Sequence, residues 1–483
     1  MDDFASGKNT TALPPGLTTF DWNTKVKDIM PADSDWGLMD KWAYEKANIR
    51  DILSHVSGLP RHDFSVGLDD RIEDVVRRMK FLKPAFELRQ QWSYNNLMYM
   101  LSSYIISHYT GSYTSFVKDR IFTPLNMTST TFSLSEAVRS GEMTDAWTNS
   151  GRRIPQLLAD DQVELNAGPG GIISSGEDMA KWVKTLLNFG IDTATNATII
   201  PRSVFDEMTT AHAIIEGIPA GPSQSLSGYG MGWIRLSLEG RDAIFHSGGI
   251  PGASTLVLFL PDDRISVVVL VNADGKAPAI GAVMKRAIDD MLGIKADSSN
   301  PQQSRQPRQP VPPLENTPNV WDGEPEMLIR LDNYAGTYSN PGYGSITLCD
   351  PSNSRNSSYC AQVLSDFAVV DAHNPNQAVY TRPQLFAKWS RLWSSHVRLV
   401  HVGNSESTHE FNMQHTALFT EGFGADKTPF EIYESGLGVA ISEFVVEGER
   451  VLGLGVFGSD GDPTKSTGKT VQETAEVWFD KIG

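Results

Sequence analysis

Apolar residues recur at helical spacing in four stretches of the first half: Ile49–Ser54, Leu97–Tyr109, Phe116–Ile121 and Glu177–Asn188. Each spacing lines one face of a 3.6-residue turn, which predicts amphipathic helices. Small polar residues precede two of them, Ser93 or the Asn95–Asn96 pair before the second and Ser174 or Ser175 before the fourth. Their side chains can accept from N–H groups that a first turn leaves unpaired. Past residue 240 the period shortens to two. Ala243–His246, Ser254–Leu260 and Arg264–Asn272 read as short strands, the last two joined by a turn at Pro261–Arg264, and Pro278–Leu292 returns to helical spacing. Strands adjacent in sequence, beside helices that are not regularly interleaved, predict an α+β class: an antiparallel sheet flanked by helices.

From about Leu328 alternation dominates. Tyr334–Leu348 reads as a hairpin turning at Asn340–Gly344, and Val397–Val402, Pro429–Glu434, Val439–Phe457 and Ala475–Phe479 add further strand-like runs. Many short antiparallel strands of this kind predict an all-β barrel or sandwich. Between the halves, Lys295–Met327 is rich in Pro, Gln and Ser and nearly free of large apolar residues, so it buries too little to offset its ordering entropy. The expected division is 1–294, a linker at 295–327, and 328–483.

Charge narrows the partners. With 41 Lys+Arg against 58 Asp+Glu, the net charge of −17 argues against binding nucleic acid or anionic membrane surfaces. Thr255–Leu260 and Ile265–Val271 are the longest apolar runs, far below the ~18 residues of a membrane span. Cys349 and Cys360 stand eleven positions apart around a polar loop; they close a hairpin-like disulfide or remain two thiols. The first residues carry neither a basic stretch nor an apolar core, so no signal peptide is read and the compartment is left open. No His-Glu-x-x-His, Cys-x-x-Cys or Gly-x-Ser-x-Gly motif occurs, and Ser466–Thr470 ends like a phosphate loop whose first glycine is replaced by Pro463. No metal or cofactor is implied.

A series of short motifs remains: Ile52–Pro60 (ILSHVSGLP), Trp92–Asn96 (WSYNN), Arg120–Met127, Pro169–Val183, Tyr229–Trp233 (YGMGW) and His246–Gly252 (HSGGIPG). Their order and spacing resemble the serine β-lactamase-like superfamily of class C β-lactamases, D,D-peptidases and related esterases and acyltransferases. Tyr94-Asn95-Asn96 matches that family's Tyr-x-Asn element and His246-Ser247-Gly248 its Lys/His-x-Gly element. The resemblance covers roughly residues 1–294, and the β-rich tail beginning at Tyr334 resembles the lipocalin-like domain many members carry. It implies acyl transfer to a serine on an ester, amide or peptide substrate. Tyr94 would be the base, its phenolate favoured by a lysine ammonium, and Asn96 would hold that lysine and the substrate. His246 would stand beside Tyr94 and tune its charge or pass protons. Ser247, Gly248 and Gly249 would line the substrate backbone, with the Gly249 N–H as an oxyanion donor.

The family's nucleophile motif, Ser-x-x-Lys, is not in its place. Between Met1 and His55 no serine has a lysine three positions on, while Ser115–Lys118 and Ser466–Lys469 have the spacing but fall elsewhere. The opening MDDFASG resembles the region just downstream of the nucleophile helix. The expectation is therefore a chain starting partway into its first domain and inactive as given. The alternatives are a non-catalytic ligand-binding relative or, in a complete form, an acyltransferase. A third and weaker idea is an apolar ligand inside the barrel, lined by Trp389 and Trp393, although buried core is the readier role for both.

Overall fold

The computed structural model describes residues 11–17, 20–156, 159–294, 327, 329–352, 357–373, 382–402, 409–433, 439–458 and 470–482. Apart from Met327, the expected linker lies outside these residues, as do Ser466 and Lys469.

The helices begin where their caps allow. The helix α1 (Ile49–Leu53) is opened by Asn48, whose side chain accepts from the Asp51 N–H while Asp51 returns the bond. The helix α2 (Asn96–Thr110) is opened by Asn95, and α3 (Gly176–Leu187) by Ser175. The stretch expected as one helix over Phe116–Ile121 is instead Tyr113–Val117 running into a π turn at Lys118–Phe122. Next come α4 (Arg202–Thr209) and, after the strands, α5 (Ala277–Leu292).

Six strands form the first sheet: β1 (Ala213–Glu216), β2 (Ser227–Tyr229), β3 (Ile234–Leu238), β4 (Arg241–Ile250), β5 (Ala253–Leu260) and β6 (Ile265–Val271). Their spatial order follows the sequence, and each neighbouring pair is antiparallel. Both faces are covered. Ile244 and Phe259 pack with α3 and α4 through Leu186, Leu187 and Phe205, whereas Ala243 and Leu258 pack with α5 through Ile288. One mismatch of lengths matters for function. Strand β3 pairs with β4 only through Phe245, while β5 pairs with it as far as Ile250. Residues His246–Ile250 therefore have a strand partner on one side only.

The second unit contains β7 (Gly336–Asn340), β8 (Gly344–Leu348), a helix α6 (Ser358–Asp371), β9 (Gln384–Arg391), β10 (Ser394–His401), β11 (Glu410–Phe419), β12 (Phe430–Tyr433), β13 (Ala440–Glu447), β14 (Arg450–Phe457) and β15 (Val477–Ile482). The strand order is β8-β7-β15-β14-β13-β11-β10-β9, with β12 also on β11. A backbone pair between Cys349 and Phe386 draws the two ends together into a nearly closed antiparallel barrel. The cysteines are bonded to each other. Their bond ties the end of β8 to the first turn of α6, rather than closing the hairpin the spacing suggested.

The two units share one apolar core running from Val26 to Phe479. At the seam the Phe64 ring stacks on His415, with centroids 3.4 Å apart. The Tyr343 hydroxyl bonds His62 Nδ1 at 2.6 Å, and the Leu392 N–H donates to the Val66 carbonyl. A second contact is more exposed. The small hairpin of Ala146–Trp147 and Arg153–Ile154 lies against the β4–β5 turn, where a Cβ on Gly252 would come within 2.6 Å of Ala146. From this hairpin Arg152 reaches Asp426 at 3.2 Å and the Thr428 carbonyl at 2.7 Å.

Candidate functional site

The loop before α2 is fixed by one buried side chain. Asn95 accepts from the Leu97 N–H through its amide oxygen, and its NH₂ donates to the carbonyls of Leu59 and Pro60 at 2.9 and 2.6 Å. All of its polar atoms are used, so Tyr94 and the segment after Pro60 are set relative to one another. His55 supports the same loop from behind. It is a non-glycine residue with φ of 60°, buried, and its carbonyl accepts from the Ser93 N–H. A left-handed conformation is costly there, and these bonds hold it in place.

Across from this loop stands β4. The ring centroids of Tyr94 and His246 are 6.2 Å apart, and His55 lies 4.5 Å from Tyr94 and 4.8 Å from Tyr229. The Tyr229 hydroxyl sits between the two imidazoles, 3.2 Å from His55 Nε2 and 3.1 Å from His246 Nε2. On the outer side the Arg61 guanidinium is 5.1 Å from the centre of the Tyr94 ring and bonds Asp63. Asp63 in turn receives the Asn96 amide at 3.3 Å.

Burial dominates the electrostatics. It pushes the Tyr94 phenol up, with Arg61 pulling it down and Asp63 pushing it further up. His55 is pulled down to about 3, first by burial and then by the nearby His246 and Arg61. His246 is also lowered by burial, against a small opposing pull from the Ser247 carbonyl. Both imidazoles are therefore neutral at pH 7 and the phenol keeps its proton. Here desolvation outweighs the Arg61 guanidinium set over the ring.

The residues singled out from the sequence fall as follows. Tyr94 and His246 come together, although the direct hydrogen-bond partner of His246 is Tyr229. Asn96 lies beside Tyr94 in the chain and is engaged by Asp63. Ser247, Gly248 and Gly249 are exposed along the unpaired edge of β4. A Cβ built on Gly249 meets nothing, whereas one on Gly248 would come within 2.5 Å of Thr255 Oγ1. Ser115 and Lys118 are both exposed on the Tyr113–Phe122 segment. Among the described residues no serine hydroxyl bonds the side chain of Tyr94 or His246. Trp389 is buried beside a void of only about 10 Å³, room for one water. Side chains fill the barrel at this point, with Trp389 in the core and Trp393 packed against it, the core role expected of both.

Sequence reading missed His55, Arg61, Asp63 and Tyr229 as parts of the cluster. His55 and Tyr229 lay in motifs read as scaffold, and the signal was a polar aromatic residue inside an otherwise apolar motif. Among the described residues, no group of three or more His, Cys, Asp and Glu side chains is placed to hold a metal, and no helix is long and apolar enough to cross a membrane.

A family model described as Beta-lactamase matches residues 18–290. An unguisins hydrolase from Aspergillus violaceofuscus is 29% identical over 366 residues, covering 68% of this chain and 62% of its own. A second, from Aspergillus campestris, is 28% identical over 348 residues with the same coverage. A penicillin-binding protein of Bacillus subtilis is 24% identical over 286 residues, 54% of this chain and 59% of its own. The chain thus spans about three fifths of the length of these curated relatives. Among solved structures, the octameric penicillin-binding protein homologue from Pyrococcus abyssi aligns over 90% of this chain and 81% of its own, at 18% identity and a TM-score of 0.48.

Proposed function

The chain belongs to the beta-lactamase family, and from that premise we propose that it provides the acid–base and substrate-backbone parts of a serine-hydrolase site acting on an ester, amide or peptide bond. The observation that carries this reading is the meeting of Tyr94 and His246 under an unpaired strand edge. In the proposed mechanism an extended substrate lies along Ser247–Gly249, where the glycines let its backbone approach closely. The Gly249 N–H faces the developing oxyanion, and preorganised donors of this kind are worth about 3–4 kcal/mol to the transition state. Tyr94, protonated at rest, gives its phenolic proton to the leaving group and takes the proton of the attacking serine hydroxyl in its place. Asn96 orients the substrate amide, and Arg61 supplies the positive charge that makes the phenol more acidic. The relatives' name of hydrolase agrees with bond cleavage.

A second reading, reversible binding without turnover, is favoured by two observations: the phenol stays protonated, and no described serine hydroxyl engages it. For the 483-residue chain as given we expect this behaviour. Labelling with a fluorescent fluorophosphonate and a fluorescent penicillin, beside p-nitrophenyl ester and nitrocefin turnover, separates the readings. A labelled serine with turnover that drops at least tenfold in Tyr94→Phe supports the hydrolase assignment. Saturable binding with no label supports the binding reading. Turnover that is unchanged in Tyr94→Phe removes Tyr94 from the mechanism.

A further inference from the structure

The polar groups behind β4 form a hydrogen-bonded chain whose direction is set at both ends by backbone atoms. At one end the Asn95 N–H points at His55 Nδ1, 3.1 Å away. A backbone N–H only donates, so His55 Nδ1 carries a lone pair and the neutral ring bears its hydrogen on Nε2. At the other end His246 Nδ1 is 2.7 Å from the Ser247 carbonyl. A carbonyl only accepts, so His246 bears its hydrogen on Nδ1 and offers a lone pair at Nε2. With these two tautomers the Tyr229 hydroxyl, which also neighbours the Tyr99 hydroxyl, accepts from His55 and donates to the open Nε2 of His246.

The reverse arrangement is less favourable. It would set a lone pair of His246 Nδ1 against the Ser247 oxygen. It would also bring two N–H groups onto the Tyr229 oxygen and turn the phenol hydrogen to Tyr99, whose own hydroxyl donates to the Leu53 carbonyl.

We propose that Tyr229, with His55 behind it, is a positioning residue that holds His246 as the neutral Nδ1–H tautomer, its Nε2 serving only as an acceptor. The inference rests on reading Tyr94 and His246 as one site, and it changes the part His246 plays there. In the resting protein His246 brings Tyr94 neither a positive charge nor an Nε2 hydrogen. The phenol answers to Arg61 instead, and the hydrogen that lies between β2 and β4 belongs to Tyr229. The lowered pKa values of both imidazoles agree with two neutral rings.

The tautomers can be read directly. NMR of the full chain carrying ring-¹⁵N histidine, with His55→Gln and His246→Gln for assignment, should show opposite forms at neutral pH: Nε2–H for His55 and Nδ1–H for His246. In Tyr229→Phe the His246 Nε2 resonance should leave its acceptor position as the Nε2–H form becomes populated. Finding native His246 as Nε2–H or doubly protonated, or unmoved in Tyr229→Phe, overturns the proposal. If Tyr229→Phe does not fold, the native spectrum alone decides. The spectrum does not depend on turnover. An unlabelled, non-turning-over protein with the expected tautomers leaves this proposal standing beside the binding reading, and a labelled, active protein with the wrong tautomers overturns this proposal and leaves the hydrolase reading standing.

Discussion

The wall of the site that carries Tyr94 is braced from behind by buried contacts with the barrel, whereas among the described residues the wall that carries His246 meets the barrel through a small intermediate hairpin. Behind Tyr94, residues 61–66 lie directly on the second unit, through the Phe64–His415 stack and the His62–Tyr343 hydrogen bond. Behind His246, the β4–β5 turn touches a small hairpin, and that hairpin's Arg152 touches the barrel. Direct buried packing and a relayed surface contact respond differently to acid and to mutation. The comparison predicts that damage enters the site from the Tyr94 side.

Acid should produce the largest difference. His55, His62 and His415 are held down to about 3, about 4 and about 3, chiefly by burial. Unfolded histidines bind protons below ~6.5. Stability from neutral burial is therefore complete above pH 6.5 and is lost as pH falls towards the folded values. Each ring loses about 1.4 kcal/mol per pH unit, so the three together lose roughly 6 kcal/mol by pH 5. Urea midpoints between pH 7.5 and 5 measure this, and hydrogen exchange should show residues 55–66 opening before the strands. A flat profile would defeat the burial argument.

Phe64→Ala comes next. Removing a buried, stacked ring should cost about 3–5 kcal/mol and loosen Arg61 and Asp63 while leaving the β4 amides protected. A midpoint change under 1 kcal/mol would mean that the barrel does not brace this wall. For Tyr343→Phe the expected loss is about 1–3 kcal/mol. His62 donates from Nε2 to the Lys83 carbonyl, so its Nδ1 is left without the phenol's hydrogen. Arg152→Ala, at the exposed contact, should move the denaturant midpoint less than Tyr343→Phe does. Gly249→Ala should be nearly silent for stability, within about 0.5 kcal/mol, since its new methyl meets nothing. It should still weaken binding of an extended ligand, measured by titration. Unchanged binding would move the ligand off this edge.

The same contrast governs what the sequence reveals. The α+β class was legible because the shift from helical to alternating spacing is local. The meeting of Tyr94 and His246 was legible only through the resemblance that the ordered set of motifs carries, since each motif alone is a weak signal. The helix α6 was not legible. Its buried positions Cys360, Val363, Phe367 and Val370 do fall at helical spacing, but Ala361, Val369 and Leu364 fill the other faces and blur the stripe. Strand β9 escaped because it is buried on both faces and shows no alternation. Strand β11 buries the neighbours His415 and Thr416, which breaks its alternation and makes its buried set partly polar. Arg61 and Asp63 lie just past a motif that ended at Pro60, and their link to Tyr94 and Asn96 exists only in three dimensions. The His55–Tyr229–His246 chain joins residues 174 and 17 positions apart, a relation that no spacing along the sequence encodes.

Because the barrel reaches one wall through the stack at Phe64 and the other through Arg152, it links the two walls from outside the Tyr94–His246 pair. The separation of the walls is then coupled to that link. Exchanges along the seam, such as at Tyr343, Asp426 or Phe430, are expected to shift that separation without altering Tyr94 or His246. Selection for a new substrate size therefore has a place to act far from the chemistry.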